Sequence, residues 1–221
     1  MTRLLVATTN QGKLAELQPA LGALGWELCS LQEFPGVPVA REDGDSFAAN
    51  ARAKALHYAR ATGLAALADD SGLCVDALGG APGVYSARYA GPGANDAQNR
   101  SRLLAELRGQ SSRRASFTCA LCLAEPVASG DGRMSLTEVE GRCTGTVLEA
   151  ERGTGGFGYD PLFVPDDPSA AGRSFAELPR ADKQRLSHRG VAVARLLERL
   201  AARAGGPRAI GPRADGQGAA R

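Results

Sequence analysis

The sequence predicts an α/β protein built on one mixed β-sheet, and three patterns predict it. The chain opens with a strand-like run at 3–8, a polar turn at 9–12, and then Leu14, Leu17, Leu21 and Leu24 at helical spacing. That strand, loop and helix unit is the building block of a parallel sheet. Two longer strand segments, near 115–124 and 134–147, follow each other with no helix between them, which makes the sheet mixed rather than all parallel. Near the end, Val193, Leu196, Leu197 and Leu200 mark the apolar face of a last helix.

The elements between follow in order. Residues 26–31 return as a second strand, and a Pro-containing loop runs through Pro35 and Pro38 to Asp45. Ser46 caps a helix to about Thr62, with Gly63 just past its end as a stop signal. Residues 64–68 form a short strand that opens into a loop at Asp69 and Asp70, with 73–75 a second short strand behind it. An irregular Gly/Pro loop at 79–83 leads to a polar helix over about 94–107. Residues 162–164 are the final strand, and Lys183 and the Ser187-His188-Arg189-Gly190 segment lie between it and the last helix.

With 221 residues and 43% hydrophobic content the chain can bury a substantial core. The compact domain is expected over 1–203. Residues 204–221, rich in Gly, Ala and Arg with little to bury, are expected to be a disordered tail. Residues 205–221 hold Arg208, Arg213 and Arg221 against Asp215, so they account for the whole formal charge of +2. The remainder is near neutral, which argues against a general nucleic-acid binder. No apolar run approaches the roughly 20 residues needed to cross a bilayer, and no signal-peptide region opens the chain. The expectation is a cytoplasmic protein with no membrane partner. Five cysteines is an odd number, so reduced thiols are the default. Cys119 and Cys122 match C-x-x-C, but three residues apart in a strand they point to opposite faces.

The residues suited to chemistry cluster around the lysines. Only Lys13, Lys54 and Lys183 are lysines among 26 basic residues, and a lysine retained in an arginine-rich chain suggests a compact point charge is wanted. Asp69 and Asp70 are paired carboxylates, which suit Mg²⁺ shared with phosphate oxygens. Thr8-Thr9-Asn10-Gln11-Gly12-Lys13 joins a strand to a helix N-terminus, where free N–H groups and partial positive charge attract phosphate. It is not a Walker loop, since Ala7 and Leu14 stand where that pattern needs glycine and a hydroxyl residue. Asn50 and Lys54 share one helix face, either as ligand contacts or as a solvated polar face, and Glu42 is a second candidate metal ligand. Gly153-Thr-Gly-Gly-Phe157-Gly158 satisfies G-x-G-x-x-G, but it runs into Tyr159-Asp160-Pro161 and a strand rather than a helix, so it is no dinucleotide fingerprint. It is either a tight turn or a loop presenting Phe157 as a stacking platform. His188 and Arg189 offer directional donors to carbonyl oxygens.

Taken together, these segments resemble the inosine/xanthosine triphosphate pyrophosphatase family, the enzymes that remove deaminated purine nucleotides. The matching segments are 7–13, 47–54, 68–72, 80–89, 153–161 and 187–190, spread over nearly all of 3–200. The resemblance implies an elongated α/β fold whose central mixed sheet floors a cleft between two lobes, usually as a homodimer. It also implies Mg²⁺-dependent hydrolysis of a nucleoside triphosphate to the monophosphate and pyrophosphate. By position, Thr8 to Lys13 would bind the triphosphate and Lys54 would help neutralise it. Asp70 would bind metal and act as general base, with Asp69 in support and Ser71 touching substrate. Phe157 would stack on the base, and Gly158, Tyr159, Asp160, Lys183, His188 and Arg189 would complete the nucleoside pocket. Some relatives carry two adjacent acids where this chain has Arg41-Glu42, which weakens the metal role of Glu42 relative to Asp70. Maf-like pyrophosphatases, a related class, open with a Ser-x-x-Arg-Arg type of loop that is absent here.

Overall fold

The computed structural model describes residues 3–22, 24–128 and 131–205. Of the tail expected over 204–221, residues 204 and 205 still belong to the last helix, and the rest lies outside the described residues. Strands β1 (Arg3–Val6), β2 (Glu27–Ser30), β3 (Ala65–Val75), β4 (Arg114–Pro126), β5 (Met134–Val147) and β6 (Phe163–Pro165) form one six-stranded sheet in the order β2-β1-β3-β4-β5-β6. β1 pairs in parallel with β2 and β3, and every pairing beyond β3 is antiparallel. This is the mixed sheet that the sequence predicts.

Helices cover both faces. On one face, α1 (Gln11–Gly22) and α5 (His188–Gly205) pack Leu17, Leu21, Ala192, Val193 and Leu196 against Leu4, Val6, Leu67 and Leu121. On the other, α2 (Phe47–Thr62) lays Ala51, Ala55, Tyr58 and Ala59 over Leu5, Ala66, Ala68 and Ala120. The limits of α2 follow local chemistry: the Ser46 hydroxyl accepts the Ala49 N–H at 3.2 Å, and Gly63 ends the helix at φ +69°. A third cluster, built on Leu73, Phe117, Phe163 and Phe175, packs the far end of the sheet against α3 (Asp96–Glu106). A short helix, α4 (Arg180–Leu186), leads directly into α5.

Four expectations need correction. The strand expected at 64–68 does not stop at the aspartates; β3 runs unbroken through Asp69, Asp70, Ser71 and Gly72 to Val75. Antiparallel pairing with β4, from Ala66↔Ala124 to Val75↔Ala115, overrides the weak strand propensity of Asp, Ser and Gly. The first strand is shorter than expected, ending at Val6, and the polar turn ends at Asn10, because Gln11 and Gly12 already belong to α1. Lys183 does lie between the last strand and the last helix, on α4, but His188 and Arg189 are the first two residues of α5 rather than part of the connection before it. Cys119 and Cys122 do face opposite sides of β4, and all five cysteines are free thiols. Among the described residues no helix is long and apolar enough to cross a membrane.

Candidate active site

β1 stops at Val6 while β3 continues for eight residues past Leu67, so the last rung between them is the Ala7 N–H to the Leu67 carbonyl at 2.8 Å. Beyond that rung the outer edge of β3 is open to a cavity of about 330 Å³. It sits at the carboxyl ends of the parallel strands, where open α/β sheets characteristically bind ligands.

The pleat of β3 sends Asp69 and Asp70 to opposite faces of the sheet. Asp69 lies on the α1/α5 face, and its side chain is fully buried. One oxygen, Oδ2, accepts Arg189 Nε at 2.8 Å and the Cys119 thiol at 3.0 Å; the other, Oδ1, accepts the Ser71 hydroxyl at 3.0 Å and pairs with Lys13 Nζ. Burial alone would raise its pKa, but Arg189 and Lys13 outweigh burial and hold the carboxyl well below its ordinary value. Asp69 is therefore a permanent anion joining α1, α5, β3 and β4.

Asp70 points to the α2 face. Asn50 Nδ2 donates to Oδ2 at 3.0 Å, and Lys54 Nζ lies 3.3 Å from Oδ1. Lys54 also donates to the Asp69 carbonyl at 2.8 Å, on the edge of β3 that β1 leaves open, and reaches Glu42 Oε2 at 3.4 Å. Here burial dominates over Lys54, Lys13 and Asn50, so the Asp70 pKa is raised. Two neighbouring aspartates are thus tuned in opposite directions, one fixed as an anion and one moved toward the working range of a base.

Lys13 stands in the first turn of α1, where the Asn10 side-chain oxygen caps the helix by accepting the Lys13 N–H at 3.0 Å. On the other side of the cavity, the Phe157 ring lies against the same turn. A Cβ on Gly12 would come within 2.4 Å of that ring, so only glycine allows the contact. Lys183 Nζ stands 4.7 Å from the ring centroid, and the Arg189 guanidinium 5.7 Å. Asp160 Oδ2 accepts both the Phe157 N–H at 2.8 Å and Lys183 Nζ at 2.6 Å; burial raises the Asp160 pKa against the opposing pull of Lys183.

His188 is held by close backbone packing: a Cβ on Gly141 would lie 2.1 Å from the His188 carbonyl, so α5 can meet β5 this closely only over a glycine. Its ring stacks on Phe117 at 4.6 Å. Burial, reinforced by Arg189, pushes its pKa well below the ordinary value and keeps the imidazole neutral. Its buried Nδ1 has no hydrogen-bond partner among the described residues. All three guanidinium nitrogens of Arg189 are engaged, by Asp69, Glu16 and Ser71.

Thr8, Thr9, Asn10, Lys13, Glu42, Lys54, Asp69, Asp70, Ser71, Phe157, Gly158, Tyr159, Asp160, Lys183, His188 and Arg189 all line this one cavity. Gln11 and Gly12 do not; Gln11 is exposed, and Gly12 meets the site through Phe157. Sequence reasoning missed Glu16, which pairs with Lys183 at 2.6 Å and with Arg189. The signal was available, because Glu16 follows Lys13 by three residues on one helix face.

Among the described residues no three His, Cys, Asp or Glu side chains cluster to hold a metal ion. Asp70 and Glu42 both approach Lys54 Nζ, which makes them a two-carboxylate set. That set fits Mg²⁺, which takes one or two carboxylates and completes its shell from water and substrate phosphates.

The model of the Ham1 family matches residues 4–199. The chain belongs to the Ham1 family. Relatives within reach include a dITP/XTP pyrophosphatase of Gloeobacter violaceus, 52% identical over 197 residues that cover 89% of this chain and 93% of that protein. One of Geobacter sulfurreducens, also a dITP/XTP pyrophosphatase, is 49% identical over 90% of this chain and 97% of its own length. Among solved structures, a HAM1 protein from Coxiella burnetii superposes with a TM-score of 0.79 at 41% identity, covering 91% of this chain and 99% of that one. The nucleoside-triphosphatase, dITP/XTP pyrophosphatase of Mycobacterium abscessus gives 0.71 at 42% identity, covering 90% and 100%. The mixed α/β architecture is therefore that of Ham1 proteins.

Proposed function

We propose that this Ham1 protein hydrolyses deaminated purine nucleoside triphosphates, ITP, dITP and XTP, to the monophosphate and pyrophosphate with Mg²⁺, clearing them before they enter DNA and RNA. Nucleoside triphosphate pyrophosphohydrolysis is the activity of the chain. The observation that carries the finer reading is the placement of Asp69 and Asp70 on opposite faces of β3, one paired with Lys13 and the other beside Lys54 and Asn50, in one cavity.

Asp70 is the general base. Asn50 and Lys54 fix the orientation of its two oxygens. It takes a proton from water as the water oxygen bonds to the α-phosphorus; the bond from that phosphorus to the bridging oxygen breaks, and pyrophosphate leaves. Lys13, at the N-terminus of α1, and Lys54 meet the phosphate charge, with Thr8, Thr9, Asn10, Gln11 and Gly12 forming the turn that receives it. Asp69 holds Lys13, Ser71 and Arg189 in place. Mg²⁺, which Asp70 and Glu42 would hold, would supply the extra positive charge that a triphosphate needs, since the cavity sets Lys13, Lys54, Lys183 and Arg189 against Glu42, Asp69, Asp70, Asp96 and Asp160.

Phe157 stacks on the base, with Gly158, Tyr159, Asp160 and Lys183 around it. A neutral His188 with a free ring nitrogen, and the guanidinium protons Arg189 keeps in reserve, suit the carbonyl of a 6-oxo purine. Adenine would present a donor there, and a buried group left unmatched costs about 1–3 kcal/mol. The active species is taken to be a cytoplasmic homodimer acting on a small nucleotide, with no nucleic-acid or membrane partner, and its catalytic domain spans 1–203.

Hydrolysis of ITP in ¹⁸O-water tests the bond that breaks. Label in IMP and none in pyrophosphate is expected; label in pyrophosphate would place the attack on the β-phosphorus and remove this mechanism.

A further inference from the structure

The loop that carries Phe157 contains four glycines between 153 and 158, a composition that by itself gives a mobile segment. Yet both backbone groups of Gly158 are held by side chains of one helix. The Gly158 N–H donates to Asp96 Oδ2 at 2.7 Å, and Arg100 Nη1 donates to the Gly158 carbonyl at 2.9 Å. Arg100 also pairs through Nε with Glu151 Oε1 at 2.8 Å, so it grips the chain before the glycines as well as after them. Asp96 and Arg100 stand one turn apart on α3, and both reach Gly158.

We infer that Asp96 and Arg100 are positioning residues that fix the height and tilt of the Phe157 ring over the nucleoside pocket before substrate arrives. The inference rests on the reading of Phe157 as the stacking platform. An aromatic on a free glycine loop would lose its mobility only on binding, and that ordering cost would be subtracted from affinity. With Gly158 clamped at both backbone groups, and the Phe157 N–H held by Asp160, the cost is met during folding. The ring then has one seat, against Gly12 and beneath the Lys183 ammonium. Neither Asp96 nor Arg100 takes part in the chemical step, so the effect belongs to binding rather than turnover.

Two measurements on full-length protein test this. The first is amide hydrogen exchange over 153–160 in Asp96→Ala, Arg100→Gln and the wild type, without nucleotide. Faster exchange at Gly158 and its neighbours is expected in both variants, with Asp96→Asn, whose amide oxygen still accepts, close to wild type. Unchanged exchange overturns the clamp. The second is ITP kinetics: Asp96→Ala and Arg100→Gln should each raise KM about tenfold, one decade of affinity, with kcat within about twofold. In a Phe157→Ala background, Asp96→Ala should add no further rise. An equal rise in that background overturns the inference, because Asp96 would then act without the ring. Faster exchange together with an unchanged KM in Phe157→Ala leaves the clamp standing and removes the stacking reading instead.

Discussion

Replacing Asp69 by asparagine removes the charge at the junction of α1, α5, β3 and β4 while keeping the side-chain shape. The Arg189 side chain is 2% exposed, so the substitution leaves a guanidinium buried with only Glu16 to balance it, and frees Lys13 from its carboxylate. Removing one partner of a buried ion pair costs about 3–5 kcal/mol. Because Glu16 still faces Arg189, the lower end applies, about 3 kcal/mol. For a chain of this size each kcal/mol moves Tm by about 2–4 °C, so a fall of about 6–12 °C is expected at pH 7.

The pH dependence adds a second check. The folded pKa of Asp69 lies below its ordinary 3.8, so the stabilisation is fully present above that value and lost as pH falls through the folded pKa. The gap in Tm between wild type and Asp69→Asn should therefore hold from neutral pH down to about 4 and narrow below it. Differential scanning calorimetry over that range is the assay. A Tm within about 2 °C of wild type at pH 7, or a gap that widens in acid, would refute the assignment of Asp69 as the buried charge hub.

Four further outcomes are expected. Asp70→Asn should keep KM within a few-fold but lower kcat by about 10²–10⁴, the usual worth of a general base; single-turnover ITP kinetics would expose a normal rate. Gly12→Ala drives a methyl into the Phe157 ring and should raise KM for ITP, with a stability loss of about 1–3 kcal/mol, so equal KM values would contradict the contact. A profile of kcat/KM against pH should show no step near 6.5, because burial keeps His188 neutral; a step there would show that the imidazole takes up a proton in the working range. Deleting residues 205–221 should leave ITP turnover unchanged, since every cavity residue precedes them; a large loss would give the tail a role in the reaction.

Much of this arrangement is legible in the chain. Ser46 and Gly63 bound α2 because capping is local chemistry, and the sparse lysines mark the site, since Lys13, Lys54 and Lys183 line one cavity from three helices. The strand through the aspartates is not legible. Asp, Ser and Gly are poor strand formers, and only the long partner β4 makes them extended. That error matters, because extension sends Asp69 and Asp70 to opposite faces and so gives them different environments. The reach of Arg189 to Asp69 depends on Gly141, 48 residues earlier in sequence, allowing α5 to lie on β5. Nothing in the polar helix expected over about 94–107 singles out Asp96 or Arg100, and only the fold shows that both reach the Phe157 loop.

The central claim is that this site removes pyrophosphate from 6-oxo purine triphosphates with the help of Mg²⁺. Incubating the purified protein with ITP, dITP, XTP, ATP and GTP, with Mg²⁺ and with chelator, and resolving pyrophosphate from orthophosphate, tests it most directly. Metal-dependent pyrophosphate from the first three, with little from ATP and GTP, is the predicted result; nucleotide binding without cleavage, or release of orthophosphate, would contradict it.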